Sequence, residues 1–186
     1  MNENELVVEL IRALNAARIP YMLVGSFSSN FYGVPRATAD ADFVLDLQTA
    51  SLSSLLQKLG PQFHVDPQMS FEMATGTRRN VISIEGIAFT IELFRLSEDA
   101  HDQERFRRRR VESILGCDAF IPTAEDVIVT KLRWAHRANR RKDVDDARDV
   151  IAVQGDRIDW AYVATWCELH GTRTLLDQIR ASIPPL

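Results

Sequence analysis

The chain has 186 residues, of which 46% are hydrophobic and 26% are charged, and its formal net charge is −4. This apolar content is ample for one compact domain, or for a core domain with a helical appendage, and the mild charge argues neither for nor against a nucleic-acid partner. Cys117 and Cys167 lack metal-ligand spacing, which favours a reduced, cytoplasmic location. The acidic, amphipathic N-terminal segment is unlike a signal peptide, and no apolar run approaches the length of a membrane span.

The spacing of apolar residues predicts a mixture of helices and strands over the first two thirds of the chain. The first elements are a helix over 4–17, a strand over 21–24, a short helix over 26–32 and a strand over 40–46. They are followed by a helix over 51–59, a hairpin of strands over 78–84 and 88–94, a helix over 99–109, and a strand pair over 111–115 and 119–121.

The last third of the chain is predicted to be helical. Thr123 caps a helix that runs to about residue 138, and further helices cover 142–153, 159–169 and 173–182. This order predicts an α+β fold, with a mixed β-sheet core flanked by helices over residues 1–121. We expect residues 122–186 to form a C-terminal helical bundle that packs on this core.

The most informative stretch is 21–44, in which one apolar strand ends at Gly25 and Ser26 and a second begins at Asp40. Thirteen residues separate Ser26 from Asp40, and Asp40 and Asp42 point to the same face of the second strand. Two carboxylates so near each other repel unless a cation lies between them. Oxygen ligands of this kind suit Mg²⁺. An exposed edge strand with outward acids is the alternative, but the apolar run that directly follows Asp42 indicates a buried strand.

Gly25 and Ser26 stand where the first strand passes into a short helix. The free N–H groups at the start of a helix can hold phosphate, glycine permits a close backbone approach, and the serine hydroxyl can donate a hydrogen bond. The pair alone is a weak signal, because ordinary helix starts have the same composition. Its spacing from Asp40 and Asp42 makes the combination more specific.

A wider pattern around the acids resembles the signature of the nucleotidyltransferase superfamily. It consists of Gly25, Ser26, Gly33, Arg36, Thr38, Asp40 and Asp42. The local version resembles the branch of AbiEii-type and MenT-type toxins, and the resemblance covers most of residues 18–152. It implies a nucleotidyltransferase-like fold and transfer of a nucleoside monophosphate from an NTP to a hydroxyl acceptor. It also implies that Asp40 and Asp42 bind the Mg²⁺ that bridges the donor phosphates.

Two further residues are candidates for the same site. Glu92 lies mid-strand among apolar residues. It follows the acid pair in the chain as the third acid of the superfamily does, and the resemblance implies that it completes a metal shell or activates the attacking hydroxyl. Arg36 belongs to the Arg-x-Thr that precedes the acid pair in the resembling branch, and it would brace a phosphate of the nucleotide or an acid pair. For both residues, a solvated surface position is the open alternative.

Lys131 falls inside the apolar stripe of its helix, three and four residues after Ile128 and Val127. A lysine at such a position either extends its amine to solvent or meets an anion. The resemblance implies that it contacts the nucleotide triphosphate and that an aspartate follows in a basic segment. Asp143 matches that catalytic aspartate best, and Asp146, on the same helical face, is the second candidate and a nucleotide-binding residue.

Two basic segments, residues 105–110 and 131–142, fit a polyanionic ligand at one place. In a nucleotidyltransferase the denser run, Arg105 and Arg107 to Arg110, is a candidate RNA-backbone or acceptor surface. The common alternative for such runs is a solvated helix face. Trp134, Trp160 and Trp166 occupy helical positions that predict core or interhelix packing rather than ligand stacking.

The favoured interpretation is a Mg²⁺-dependent nucleotidyltransferase with an NTP donor. Candidate acceptors are the 3′ end of tRNA, a protein hydroxyl and a small molecule such as an aminoglycoside. The toxin-like branch makes tRNA the first of these, and a toxin–antitoxin pair, with a cognate antitoxin as partner, the first biological context. Two alternatives stay open: a catalytically silent binding module or antitoxin-like partner, and a structural acid pair with basic segments that bind nucleic acid without chemistry. No membrane partner is expected.

Overall fold

The computed structural model describes residues 2–47, 52–66, 68, 70–72 and 77–184. The helices are α1 (Glu3–Ala17), α2 (Gly25–Tyr32), α3 (Leu52–Leu56), α4 (Ala100–Arg108), α5 (Ala124–Ala138), α6 (Arg141–Gln154), α7 (Trp160–Leu169) and α8 (Arg173–Ser182), with a 3₁₀ turn at Gly155–Arg157. The strands are β1 (Tyr21–Val24), β2 (Asp40–Leu45), β3 (Phe63–Val65), β4 (Ser70–Glu72), β5 (Thr77–Ile84), β6 (Ile87–Arg95), β7 (Arg110–Ile114) and β8 (Cys117–Ile121). The first residue of the helix predicted over 51–59 lies outside the described residues. None of the described helices is long and apolar enough to span a bilayer.

A mixed six-stranded sheet forms the centre of the fold. Its order is β1-β2-β6-β5-β3, with β4 also paired to β5. β2 and β6 run parallel, the other pairs of this sheet are antiparallel, and β7 and β8 form a separate antiparallel hairpin. The arrangement confirms the predicted α+β class with helices around a mixed sheet. β3 and β4 are not predicted, because three residues each are too few to show an apolar period.

The pleat of β2 explains why its two acids leave a buried strand together. Phe43 points to one face and packs into the main core with the apolar side of α1. Val44 points to the other face, where a smaller apolar cluster consists of Met22, Val24, Val44, Phe94 and Phe106. Asp40 and Asp42 share the face of Val44, so their carboxylates emerge where this smaller cluster ends.

The last four helices bury a hydrophobic cluster of their own, to which α5 contributes Val127, Ile128 and Leu132. Thr123 caps α5 by accepting a hydrogen bond from the Asp126 N–H, as the sequence predicts. These helices are the predicted C-terminal bundle. The exact division into a core over 1–121 and a packed subdomain over 122–186 stays a prediction.

A buried polar network joins α4 to α5 and α7. Asp126 is completely buried, and it accepts hydrogen bonds from the hydroxyls of Tyr162 at 2.6 Å and Thr123 at 2.8 Å. From α4, Nε2 of His101 lies 3.3 Å from its Oδ1, and Nε of Arg108 donates to its Oδ2 at 3.4 Å. Because a buried carboxylate without partners is costly, this network holds α4 against the C-terminal helices.

We expect Asp126→Ala to lower the free energy of unfolding by about 3–5 kcal/mol, because it removes the acceptor of several buried donors at once. Tyr162→Phe removes one hydrogen bond and keeps the ring, so it should cost about 1 kcal/mol. Urea denaturation of the two variants and the wild type measures both values. A loss for Asp126→Ala no larger than that for Tyr162→Phe would contradict a cooperative network.

Candidate active site

The parallel pairing of β2 with β6 brings the three predicted acids onto one face of the sheet. In the register of this pair, Asp42 lies opposite Glu92 and Asp40 lies opposite Thr90. Alternate positions of a strand share a face, so Asp40, Asp42 and Glu92 project from the same side. The two-residue spacing of the aspartates becomes a three-acid cluster only through this pairing.

The acids line a pocket of about 190 Å³ between the sheet and α5. Its lining residues are Ser26, Asp40, Asp42, Arg79, Glu92, Phe94, Lys131, Trp134, Arg140 and Lys142. Five residues predicted for the site, on α2, β2, β6 and α5, therefore meet in one cavity.

Gly25 lies at the contact between the first turn of α2 and the carboxylate of Asp42. Its φ is +63°, in the left-handed region that favours glycine. A Cβ at this position would overlap Oδ2 of Asp42 and lie 2.8 Å from its Cγ. The sequence predicts that Gly25 allows close approach of a phosphate, whereas the contact that the structure shows is with Asp42.

Negative charge is concentrated around Asp42. Burial, followed by the charges of Asp40 and Glu92, raises the pKa of Asp42 to about 7. The hydroxyl of Thr38 donates to Oδ1 of Asp40 at 2.7 Å and so orients the neighbouring carboxylate. A cation between the two aspartates would relieve their mutual repulsion.

Glu92 is held by an arginine that the sequence pattern does not mark. Nη1 of Arg79 lies 3.0 Å from both carboxylate oxygens of Glu92 and donates to them. Arg79 reaches this position because β5 pairs with β6, where it lies opposite Phe94. Arg79 follows Arg78 at the start of the strand, where arginines are typically solvated, so only the strand pairing identifies it.

Lys131 is buried, and its amine meets anions rather than solvent. Nζ lies 2.9 Å from Oδ1 of Asp143 and 2.7 Å from Oδ2 of Asp146. The guanidinium of Arg36 donates to both oxygens of Asp146, at 2.7 and 2.9 Å, and to Oγ of Ser26 at 2.9 Å. A continuous polar chain therefore links the start of α2 to α5 and α6.

Arg36, Asp143 and Asp146 lie outside the pocket lining, in a second layer behind Lys131 and Ser26. The sequence predicts that Asp143 is catalytic and that Arg36 and Asp146 contact nucleotide; the structure places each of them one polar contact away from a pocket residue. Although burial alone would raise it, the hydrogen bonds from Arg36 and the charge of Lys131 lower the pKa of Asp146 to about 2.

The two predicted basic segments lie in different surroundings. In 105–110, Arg105 is buried against Asp102, and Arg108 reaches the buried Asp126, which leaves no continuous basic face along that run. The second segment, 131–142, contributes Lys131, Arg140 and Lys142 to the pocket. The predicted polyanion surface is therefore supported by the second segment rather than the first.

One tryptophan departs from the predicted core packing. Trp160 and Trp166 pack against the hydrophobic cluster of the C-terminal helices, as predicted. Trp134 is half-buried like the other two, but it belongs to none of the three clusters of described residues and lines the pocket. No signal in the sequence marks it, because Trp134 follows Val127 by two helical turns and Lys131 by one and so lies along the same stripe of α5.

Among the described residues, no three His, Cys, Asp or Glu side chains form a complete metal site. Asp40 and Asp42 nevertheless fit a divalent cation, because they are adjacent hard oxygen donors and neither forms an ion pair with a described residue. Glu92 would need to release a contact with Arg79 to serve as a third ligand.

The sequence matches no protein-family model and no curated protein. Several solved structures nevertheless resemble it. The complex of ANT(2'')-Ia with adenylyl-2''-tobramycin has a TM-score of 0.64 at 14% identity, over 91% of this chain and 99% of that one. An antigenic nucleotidyltransferase-like protein from Paracoccidioides brasiliensis has a TM-score of 0.56 at 18% identity, over 99% and 95% of the two chains. The lincosamide antibiotic adenylyltransferase LnuA, with lincomycin bound, has a TM-score of 0.55 at 12% identity, over 82% and 98%.

These similarities extend over nearly the whole length of each relative, and their low sequence identity makes them evidence of fold. The nucleotidyltransferase-like fold predicted from the sequence is thereby confirmed. The narrower assignment to the branch of AbiEii-type and MenT-type toxins stays a prediction, as do the roles of the individual site residues.

We expect Gly25→Ala to lower the free energy of unfolding by about 3 kcal/mol, of which about 1–2 kcal/mol reflects left-handed strain and the rest the clash with Asp42. In an Asp42→Ala background the contacts with the carboxylate are gone and only a Cβ–Cβ distance of 3.1 Å remains, so the substitution should cost little more than the strain and the two changes should be non-additive. Gly86→Ala is the matched control, because Gly86 has a φ of +74° and no atom within 4 Å of its Cβ position. Equal losses for Gly25→Ala and Gly86→Ala in urea denaturation would contradict the close contact.

The depressed pKa of Asp146 predicts a pH dependence of stability. Its folded pKa of about 2 lies below the unfolded value of about 3.9, so the ionised carboxylate stabilises the folded state above about pH 4 and loses this effect as the pH falls toward 2. Asp146→Asn should therefore be less stable than the wild type near neutral pH, and the difference should shrink from about pH 4 to about pH 2.

Urea titrations at each pH give the free energies of unfolding for this comparison. Asp145→Asn, which changes an exposed acid of the same helix, is the control. A difference between Asp146→Asn and the wild type that stays constant over the acid range would contradict the ion pairing of Asp146.

Proposed function

We propose that this protein is a Mg²⁺-dependent nucleotidyltransferase, which moves a nucleoside monophosphate from an NTP to a hydroxyl acceptor and releases pyrophosphate. The observation that carries the proposal is the convergence of Ser26, Asp40, Asp42, Glu92 and Lys131 in one pocket. An acid pair that has no ion-pair partner among the described residues, beside a hydroxyl and a buried amine, suits a triphosphate with its metal ion. The fold that the chain shares with two antibiotic adenylyltransferases supports the same class of reaction.

In this proposal Asp40 and Asp42 hold the metal ion, and Ser26 and Lys131 contact the phosphates of the donor. When bound, Mg²⁺ would neutralise phosphate charge and so favour attack at the α-phosphorus. The amine of Lys131 would turn from one of its aspartates toward a phosphate oxygen, and a charge-assisted contact of this kind is among the strong hydrogen bonds.

Glu92 is the acid best placed to orient or deprotonate the acceptor hydroxyl, because it lines the pocket whereas Asp143 and Asp146 do not. The acceptor oxygen would bond to the α-phosphorus as the bond to the pyrophosphate oxygen breaks, and the hydroxyl proton would pass to the carboxylate. Asp143 and Asp146 would act as positioning residues that hold Lys131 and Arg36.

Two classes of acceptor follow from the resemblances. The likeness to AbiEii-type and MenT-type toxins makes the 3′ end of tRNA the first acceptor to test, and it suggests a toxin whose partner is a cognate antitoxin. The complexes of ANT(2'')-Ia with adenylyl-2''-tobramycin and of LnuA with lincomycin make antibiotic hydroxyls the second.

Asp40→Ala should reduce transfer by roughly a thousandfold, since it removes half of the proposed metal pair. The measurement uses each of the four NTPs with label in the α-phosphate, Mg²⁺, and either total tRNA or tobramycin, followed by mass spectrometry of the products. Asp46→Ala is the matched control, because Asp46 directly follows the same strand but lies outside the pocket. Transfer at the wild-type rate by folded Asp40→Ala would refute the metal assignment.

A catalytically silent binding module is the alternative, and Lys131 gives it some support, because two aspartates already satisfy its amine. Thermal unfolding separates the two proposals. The enzyme should gain a higher Tm from NTP with Mg²⁺ than from NTP alone, whereas a silent module should show no Mg²⁺-dependent shift.

A further inference from the structure

The pocket of the candidate site contains one large planar side chain that the proposed chemistry does not use. Trp134 stands among lining residues that are otherwise polar or charged, apart from Phe94. Phe94 is 8% exposed and belongs to the small apolar cluster on the same face of the sheet as Val44, so little of its ring is available to a ligand. The half-buried indole of Trp134 is therefore the main aromatic surface of this cavity.

The surroundings of Trp134 differ from those of the other two tryptophans. Trp160 is covered by the guanidinium of Arg180, 3.9 Å from its ring centroid, and Trp166 packs with centroid distances of 4.8 Å to His101 and 6.3 Å to Tyr162. Both also pack against the C-terminal apolar cluster. Within the described part of the chain, Trp134 has no such aromatic partner.

The indole N–H of Trp134 also donates no hydrogen bond to a described residue, although an indole N–H usually finds a partner where it is buried. This half-buried indole, whose N–H has no partner among the described residues, offers both a ring surface and a hydrogen-bond donor to a ligand. In a charged pocket it is suited to a planar, partly polar ligand.

The position of Trp134 on α5 relates it to the phosphate end of the pocket. It follows Lys131 by one helical turn, so both side chains project from the same side of the helix. Nζ of Lys131 lies 5.7 Å from the centroid of the indole. The amine therefore lies over the ring at a cation–π distance, and a phosphate held by Lys131 would lie next to a base held by Trp134.

The size of the pocket also indicates that phosphates and base would occupy different parts of it. About 190 Å³ is less than the roughly 300–1,000 Å³ typical of sites that enclose a whole small molecule. A triphosphate among Lys131, Arg140 and Lys142 would occupy most of this volume. The base of the same nucleotide would then extend along the wall that Trp134 provides.

We propose that Trp134 is the base-binding residue of the donor site, on whose indole the nucleobase of the NTP stacks while its triphosphate lies beside Lys131. This inference rests on the proposed function, which it deepens by assigning the two ends of the donor to two parts of the pocket. Stacking of a base on an aromatic ring tolerates every base, so Trp134 contributes affinity for nucleosides rather than a choice among them.

The test compares two probes in the presence of Mg²⁺: α,β-methylene triphosphate analogues of the four ribonucleosides, and inorganic tripolyphosphate. Isothermal titration calorimetry measures the Kd of each for wild type, Trp134→Ala, Trp134→Phe and Trp160→Phe. Trp134→Ala should weaken nucleotide binding roughly tenfold or more and leave tripolyphosphate binding unchanged. Trp134→Phe should retain most of the affinity, and Trp160→Phe should match the wild type.

A fluorescence experiment covers the case in which Trp134→Ala fails to fold. In the Trp160→Phe/Trp166→Phe variant, Trp134 is the sole tryptophan of the chain, which has three. The nucleotide analogues should quench its emission, and tripolyphosphate should leave it nearly unchanged.

The outcomes separate this inference from the function on which it rests. The role of Trp134 would be overturned if Trp134→Ala weakened nucleotide and tripolyphosphate binding equally, or if it did not weaken nucleotide binding at all. Neither result would contradict the proposed function, because the wild type would still bind both probes. Quenching of Trp134 by both probes alike would overturn the role of Trp134 too. If the wild type binds neither probe, the proposed function fails and the inference fails with it.

Discussion

A buried lysine between two buried aspartates is the interaction on which the rest of the candidate site depends. Lys131 contacts Asp143 and Asp146, and Asp146 in turn holds Arg36, which reaches Ser26 at the start of α2. Loss of one partner from a buried ion pair leaves a charge without compensation, so α2, α5 and α6 are held in a single relative arrangement. The cationic wall of the pocket is therefore placed by the same contacts that join the C-terminal helices to the sheet.

The wall of the pocket opposite Lys131 consists of three acids, each held by a different neighbour. Asp42 packs on the bare Cα of Gly25, Asp40 is oriented by Thr38, and Glu92 is clamped by a β5 arginine. Burial, followed by the charges of Asp40 and Glu92, raises the pKa of Asp42 and opposes folding with this carboxylate ionised. A buried acid with a raised pKa in a cleft is typical of functional sites, and here Asp42 and its two neighbouring acids face a buried amine across the pocket.

The residues predictable from the sequence are those whose placement follows from a local period. Asp40 and Asp42 share a face because a strand repeats every two residues, and Lys131 turns inward because its helix has an apolar stripe. Arg79 enters the site only because β5 pairs with β6, and no local pattern reveals that pairing. Trp134 resembles Trp160 and Trp166 in sequence and in its half-buried state, and only its place in the pocket, rather than against the C-terminal cluster, separates it from them. The short strands β3 and β4 are not predicted for a related reason, since three residues are too few to show an apolar period.

The second layer also explains how Lys131 can serve a ligand without destabilising the fold. Each of its aspartates has another cation: Arg36 holds both oxygens of Asp146, and Nε of Arg140 lies 3.2 Å from Oδ2 of Asp143. Three cations thus share two carboxylates. When the amine of Lys131 turns toward an anion in the pocket, Asp146 keeps both hydrogen bonds from Arg36 and Asp143 keeps its ion pair with Arg140, which lowers the penalty that normally holds a buried ion pair together.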